Sequence, residues 1–129
     1  MAETVSTTYL ADIMRDARVR TLELLEGLDE DQLIGPKLRI VNPLRWEVGH
    51  VAWFTEWFIL RRLHGHDPIH PPGDRIYDSM TVHHDTRWDL PLMDTDVTLT
   101  YMGDVLEACL ARLTEDVADE DDSYMYKFA

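Results

Sequence analysis

The residues with the clearest chemical potential are a histidine set among tryptophans, in the run Asn42-Pro43-Leu44-Arg45-Trp46-Glu47-Val48-Gly49-His50-Val51-Ala52-Trp53-Phe54-Thr55-Glu56-Trp57-Phe58. At about 100° per residue, Trp46, His50, Trp53, Trp57 and Leu60 fall on one narrow helical face. A histidine on such a face is either a satisfied core residue or a ligand looking into a cavity between helices. The second alternative leads to a metal and to chemistry. The aromatic residues themselves read as core, since they bury large area; their added effect is to keep a metal pocket dry. Gly49 lets another backbone or a ligand approach closely, or serves plain helix packing.

The other reactive side chains are weaker candidates. His83-His84, and the set His64, His66 and His70, have the composition of a metal cluster but not its geometry. Adjacent histidines project in different directions, and the second set straddles a proline-rich turn. Cys109, the only cysteine, excludes an internal disulfide and reads as a small core residue rather than a nucleophile. The acidic run Glu115 to Asp122 lacks the ordered Asp/Asn/Gly spacing of a calcium loop and reads as a solvated segment. Arg87 could hold a carboxylate in two-pronged fashion, or form a surface ion pair with one of many nearby acids.

Three amphipathic helices must position these groups. The first is expected from about Thr8 to Leu28, with Leu10, Ile13, Met14, Ala17, Thr21, Leu24, Leu25 and Leu28 on one face and Gly27 near its end. Asp29 to Gly35 can add one turn. The second runs from Pro43, with Asn42 as its cap, to about His64; it is apolar almost all round, as suits a central helix. Gly65 stops it. An irregular region then lasts to about Asp94, and a loop this long in a small domain is usually functional. The third helix starts near Asp94 or Asp96 and carries Leu99, Met102, Val105, Leu106, Cys109, Leu110 and Leu113 on its apolar face. Asp122 or Ser123 would cap a fourth helix, of which Tyr124 to Phe128 form the first turn and a half. The expected fold class is therefore all-α, a four-helix bundle with three helices and the start of the fourth. A three-helix domain with an apolar tail is the alternative.

The 129 residues suffice for one domain with one core. A net charge of −13 argues against nucleic acid and against an anionic membrane face. No apolar run is long enough to span a bilayer, and the N-terminus lacks signal-peptide order. The expectation is a cytoplasmic protein.

The segment Asn42 to Leu60 resembles the second helix of the DinB-like N-terminal domain of ergothioneine-type sulfoxide synthases. Tyr77-Asp78-Ser79 and Arg87-Trp88-Asp89-Leu90-Pro91-Leu92 are similar to the loop that follows it, and the Leu-Pro element resembles the selenoneine synthases of that family. The likeness extends from about Tyr9 to Phe128. It implies a DinB-like bundle followed by a formylglycine-generating-type domain, with a mononuclear non-heme iron, Fe(II), held by three histidines between them. Such enzymes use O2 to join a sulfur or selenium donor to the imidazole carbon of hercynine; in ovothiol synthases the acceptor is histidine. His50 takes the place of the first iron ligand. The other two ligands belong to a His-x-x-x-His-x-Glu element on the fourth helix, which lies beyond Ala129. The same resemblance implies that Arg87 helps hold the carboxylate of the donor.

Physical chemistry agrees that one imidazole gives little affinity, since a usable site needs about three protein ligands at fixed geometry. Two come from positions i and i+4 of one helix and the third from a facing helix, the role His50 fits. The chain alone is thus expected to be inactive. Two rival functions stand beside this one. The first is a stand-alone DinB-like metal-dependent thiol transferase. The second is a non-catalytic helical module that self-associates through an exposed apolar face.

Overall fold

The computed structural model describes residues 5–115, with side chains through residue 113. The expected fourth-helix start at Tyr124 to Phe128 and most of the acidic run lie outside these residues. The described residues are all helical or irregular, with no strand among them. Among the described residues no helix is long and apolar enough to cross a membrane.

Helix α1 spans Thr7–Leu25, and the Ser6 side chain caps it by accepting from the Tyr9 N–H at 3.1 Å. Its expected apolar face is only partly used. Leu10 and Ala11 are buried, Met14 and Leu25 half-buried, while Ile13 and Leu24 face outward. Gly27, with φ 76°, ends the first element as a left-handed residue must. Helix α2, Glu30–Ile34, is one turn held by a reciprocal capping box between Asp29 and Gln32.

Helix α3 spans Leu44–Thr55 and continues without a break as a π-helix, Glu56–Leu63. It begins one residue later than the cap expected at Asn42. Pro43 is the cap, no side chain bonds to the free N–H groups, and Asn42 lies outside the helix with its amide turned to Glu47 and Arg87. The π winding was not expected from periodicity. It shows in the closing hydrogen bonds, His66 N–H to Leu60 O at 2.8 Å and Gly65 N–H to Arg61 O at 2.9 Å. Each spans one residue more than the corresponding bond of an α-helical stop, with Gly65 at φ 69°.

The long connection holds α4, Gly73–Ile76, and a 3-10 turn, His84–Thr86. Helix α5, Thr95–Glu115, follows Asp94 as expected. It packs along α3, and α1 packs on α5. The shared core includes Trp46, Leu60, Tyr77, Met102, Val105 and Leu113, each at most 2% exposed. Cys109 belongs to it, and burial pushes its thiol up to about 12, an inert value. The central rod is less enclosed than its composition implies, since Val51 (55%) and Phe54 (38%) are exposed. A cavity of about 170 Å3 opens beside Val51 between α1, α3 and α5, walled by Met14, Ile59, Val105 and Arg18 among others.

Candidate functional site

Helix α4 is too short to satisfy its own C-terminal carbonyls, because the last four C=O groups of any helix lack an intrahelical partner. Two consecutive carbonyls there are met by donors from α3, one turn apart. Trp46 Nε1–H donates to Ile76 O at 2.8 Å, and His50 Nδ1 lies 2.7 Å from Tyr77 O. Further along the same stripe, Trp53 Nε1–H donates to Asp74 Oδ1 at 2.8 Å. The face predicted from spacing is therefore the face on which α4 is fastened.

A carbonyl oxygen can only accept, so the His50 ring carries its proton on Nδ1 and its lone pair on Nε2. Nε2 has no hydrogen-bond partner among the described residues. The ring is half-buried. It stacks on Trp46 with centroids 4.6 Å apart and planes 9° from parallel, and meets Phe54 at 6.2 Å. Backbone bond and stacking together fix its orientation. A ligating histidine has this arrangement, with one ring nitrogen held by a carbonyl and the other presented.

Tyr77, which supplies the carbonyl, is fully buried, and burial pushes its phenol up to about 12. Its hydroxyl lies by Thr98, whose Oγ1 already donates to Met93 O and Asp94 O, and makes no well-formed hydrogen bond among the described residues.

Arg87 also meets this face. It is buried, with its guanidinium carbon 4.1 Å from the Trp46 ring centroid. Nη1 donates to Asn42 Oδ1 at 3.0 Å; Nη2 donates to Val82 O at 2.9 Å and to Ser79 O at 3.4 Å. The side chain is buried rather than at the surface, and among the described residues no carboxylate touches it. Asn42 links it to one instead, its Nδ2 donating to Glu47 Oε1 at 2.5 Å. Nε is buried without a partner among the described residues.

The remaining histidines disperse. His84 Nε2 lies 2.7 Å from Val41 O, His66 Nε2 accepts from Arg112 Nε at 3.2 Å, and the His70 ring faces Tyr101 at 5.9 Å. Among the described residues no three His, Cys, Asp or Glu side chains converge as a metal site would require. The described residues therefore do not complete a coordination set for a metal, and His50 offers a single oriented ring nitrogen.

Two acids escaped the sequence reading. Glu56, 1% exposed, accepts from Tyr101 Oη at 2.6 Å and from the Ile69 N–H at 2.5 Å. The Tyr101 phenol is pushed up by burial and then by Glu56. Asp74 receives both Nη atoms of Arg61, at 2.6 and 3.0 Å, as well as Trp53. The bonds from Arg61 hold its carboxyl below the ordinary value. For Glu56 the available signal was an acid set among Trp53, Phe54, Trp57 and Phe58; Asp74 carried none.

No curated protein sequence matches this one at a significant level. A family comparison does, over residues 13–126, which is most of the chain. The chain belongs to the DinB superfamily.

Proposed function

We propose that this chain contributes His50 as one protein ligand to the metal centre of a DinB-type bundle. The observation that carries the proposal is the 2.7 Å contact between His50 Nδ1 and Tyr77 O, which leaves Nε2 as a lone-pair donor on an oriented ring. In the finer form of the proposal, the bundle is the N-terminal metal-site domain of a non-heme iron, O2-dependent synthase. That enzyme joins a sulfur or selenium donor to the imidazole of hercynine. Support comes from the resemblance of residues 42–60 and 87–92 to those synthases, and from where the loop lies. The segment from Gly73 to Arg87 folds back on the Trp46–His50 face. A metal bound there would supply Lewis acidity and open positions for O2 and substrate. The chain's own residues hold the ring, fix its proton on Nδ1 and wall the face with Trp46. Arg87 is proposed to receive the donor's carboxylate, exchanging bonds to neutral oxygens for charge-assisted ones.

The test is metal content of the full-length gene product after anaerobic loading with Fe(II). His50→Ala should reduce iron retained through gel filtration by at least about tenfold, the effect expected of losing one of three ligands. Unchanged iron stoichiometry in that variant rejects the ligand role. Oxygen-dependent consumption of hercynine would support the synthase form. Transfer of a thiol without O2 would assign the same site to a DinB-like thiol transferase.

A further inference from the structure

We propose that Gly49 and Tyr77 form a positioning pair for His50, which together decide which ring nitrogen is presented. The inference rests on the metal-ligand proposal for its purpose, though its measurement needs no metal. Glycine is the least favourable helix residue after proline, so a glycine inside α3 requires a packing reason. At position 49 that reason is close approach. A Cβ there would stand 2.4 Å from Tyr77 Cε1 and Cζ and 2.5 Å from its hydroxyl oxygen. These atoms belong to a rigid ring, not to the end of a flexible chain. The ring has nowhere else to go, since it stacks on Tyr101 at 6.4 Å and meets Trp46 at 6.5 Å, with no exposed surface.

The same tyrosine carries the carbonyl that accepts from His50 Nδ1. Ring and carbonyl belong to one residue at the end of α4, so a ring displaced by a Cβ at 49 would carry the backbone, and with it the carbonyl, away from His50. The absent Cβ at 49 is what allows the carbonyl to reach the imidazole one residue along. In water a neutral histidine favours the proton on Nε2; the contact with Tyr77 reverses that preference and frees Nε2. Tyr77 thus acts through its backbone and Gly49 through what it lacks.

The experiment is 15N NMR of the chain labelled at histidine. It is run at about pH 8.5, two units above the ordinary imidazole value of ~6.5. His50 is assigned by the signals lost in His50→Asn. Wild type should show a protonated Nδ1 and a bare Nε2. Gly49→Ala should lower the Nδ1–H to Nε2–H ratio by about fivefold or more, the ratio that a net hydrogen bond of about 1 kcal/mol sustains. Tyr77→Leu, which clears the ring but keeps the carbonyl, should retain the wild-type pattern. Gly49→Ala combined with Tyr77→Leu should restore that pattern while melting below wild type. A purely structural role for Gly49 would not separate tautomer from stability in this way. Gly103→Ala, where an added Cβ meets nothing within 4 Å, is the control and should leave His50 unchanged. A folded Gly49→Ala with the wild-type tautomer overturns the inference, as does a double variant that fails to recover it. If Gly49→Ala does not fold, the double variant decides alone. A wild-type tautomer as expected, with iron retention indifferent to His50→Ala, would remove the ligand role and leave the positioning pair standing.

Discussion

The two halves of the long central helix treat their polar side chains in opposite ways. In the π-helical half, the polar groups close on one another. Both oxygens of Glu56 are occupied, by Tyr101 and the Ile69 N–H, and both oxygens of Asp74 receive Arg61. In the α-helical half, His50 is held at one nitrogen and left open at the other. Buried polar groups whose capacity is used up specify a fold; they have nothing left to offer a ligand. His50, its orientation fixed and one lone pair unused among the described residues, is the group to which the proposal above assigns a metal. On the proposed function, damage to the π-helical half should appear as lost stability and damage to the α-helical half as lost metal.

The largest expected effect lies in the closed half. Glu56→Ala removes the acceptor of two interior donors, the Tyr101 hydroxyl and the Ile69 N–H. Each orphaned donor costs about 1–3 kcal/mol, so the variant should lose about 2–6 kcal/mol in urea denaturation. Glu56→Gln keeps the shape and one good acceptor and should lose roughly half as much. If Glu56→Ala melts like wild type, the closed network does not hold the π-helical half, and the contrast between the halves fails at its stronger end.

Asp74 gives an intermediate effect with a distinctive pH signature. Its carboxyl is held below the ordinary Asp value, first by the hydrogen bonds from Arg61. A depressed carboxyl pKa in the folded state contributes stability above the unfolded-state pKa, and that stability fades as pH falls through the folded value. The group is partly exposed, so solvent screening reduces the gain to about 1 kcal/mol. Asp74→Asn should therefore melt below wild type at pH 7, and the gap should narrow as pH falls below about 4, the ordinary Asp range. A gap that is constant with pH would mean that packing, not charge, fastens α4 to α3.

What could be read from the sequence divides along the same line. The extent of α1, that of α3 together with its π-helical continuation, and the start of α5 follow from local periodicity, caps and glycine stops, and the structure reproduces them within a few residues. The shared face of Trp46, His50 and Trp53 was also legible, because it needs only the helical repeat. The partners of that face were not. Ile76 O, Tyr77 O and Asp74 lie 30, 27 and 21 residues away from their α3 donors, in a segment with no periodicity. Asn42 shows the limit of local rules. Its type and place before Pro43 fit a helix cap, yet its amide joins Glu47 to Arg87, 45 residues on. The π winding escaped because the aromatic residues of this run suit an α-helical stripe equally well. Glu56 in that half and its partner Tyr101 on α5 are 45 residues apart.

The smallest effect is expected at the residue of greatest functional interest. His50→Ala in the metal-free chain removes one hydrogen bond from a half-buried ring and its stacking on Trp46. Tyr77 O, itself buried, can then be reached by water through the space that the half-buried imidazole vacates, at modest cost. Trp46 keeps its own bond to Ile76 O and stays in the core. The loss in urea denaturation should therefore stay within about 1 kcal/mol. That is well below the loss for Glu56→Ala, although His50 sits on the same helix a turn and a half away. A loss as large as that of Glu56→Ala would make His50 one more member of a closed core network. It would then be held by the fold for the fold's own sake, and the open nitrogen would have no functional meaning.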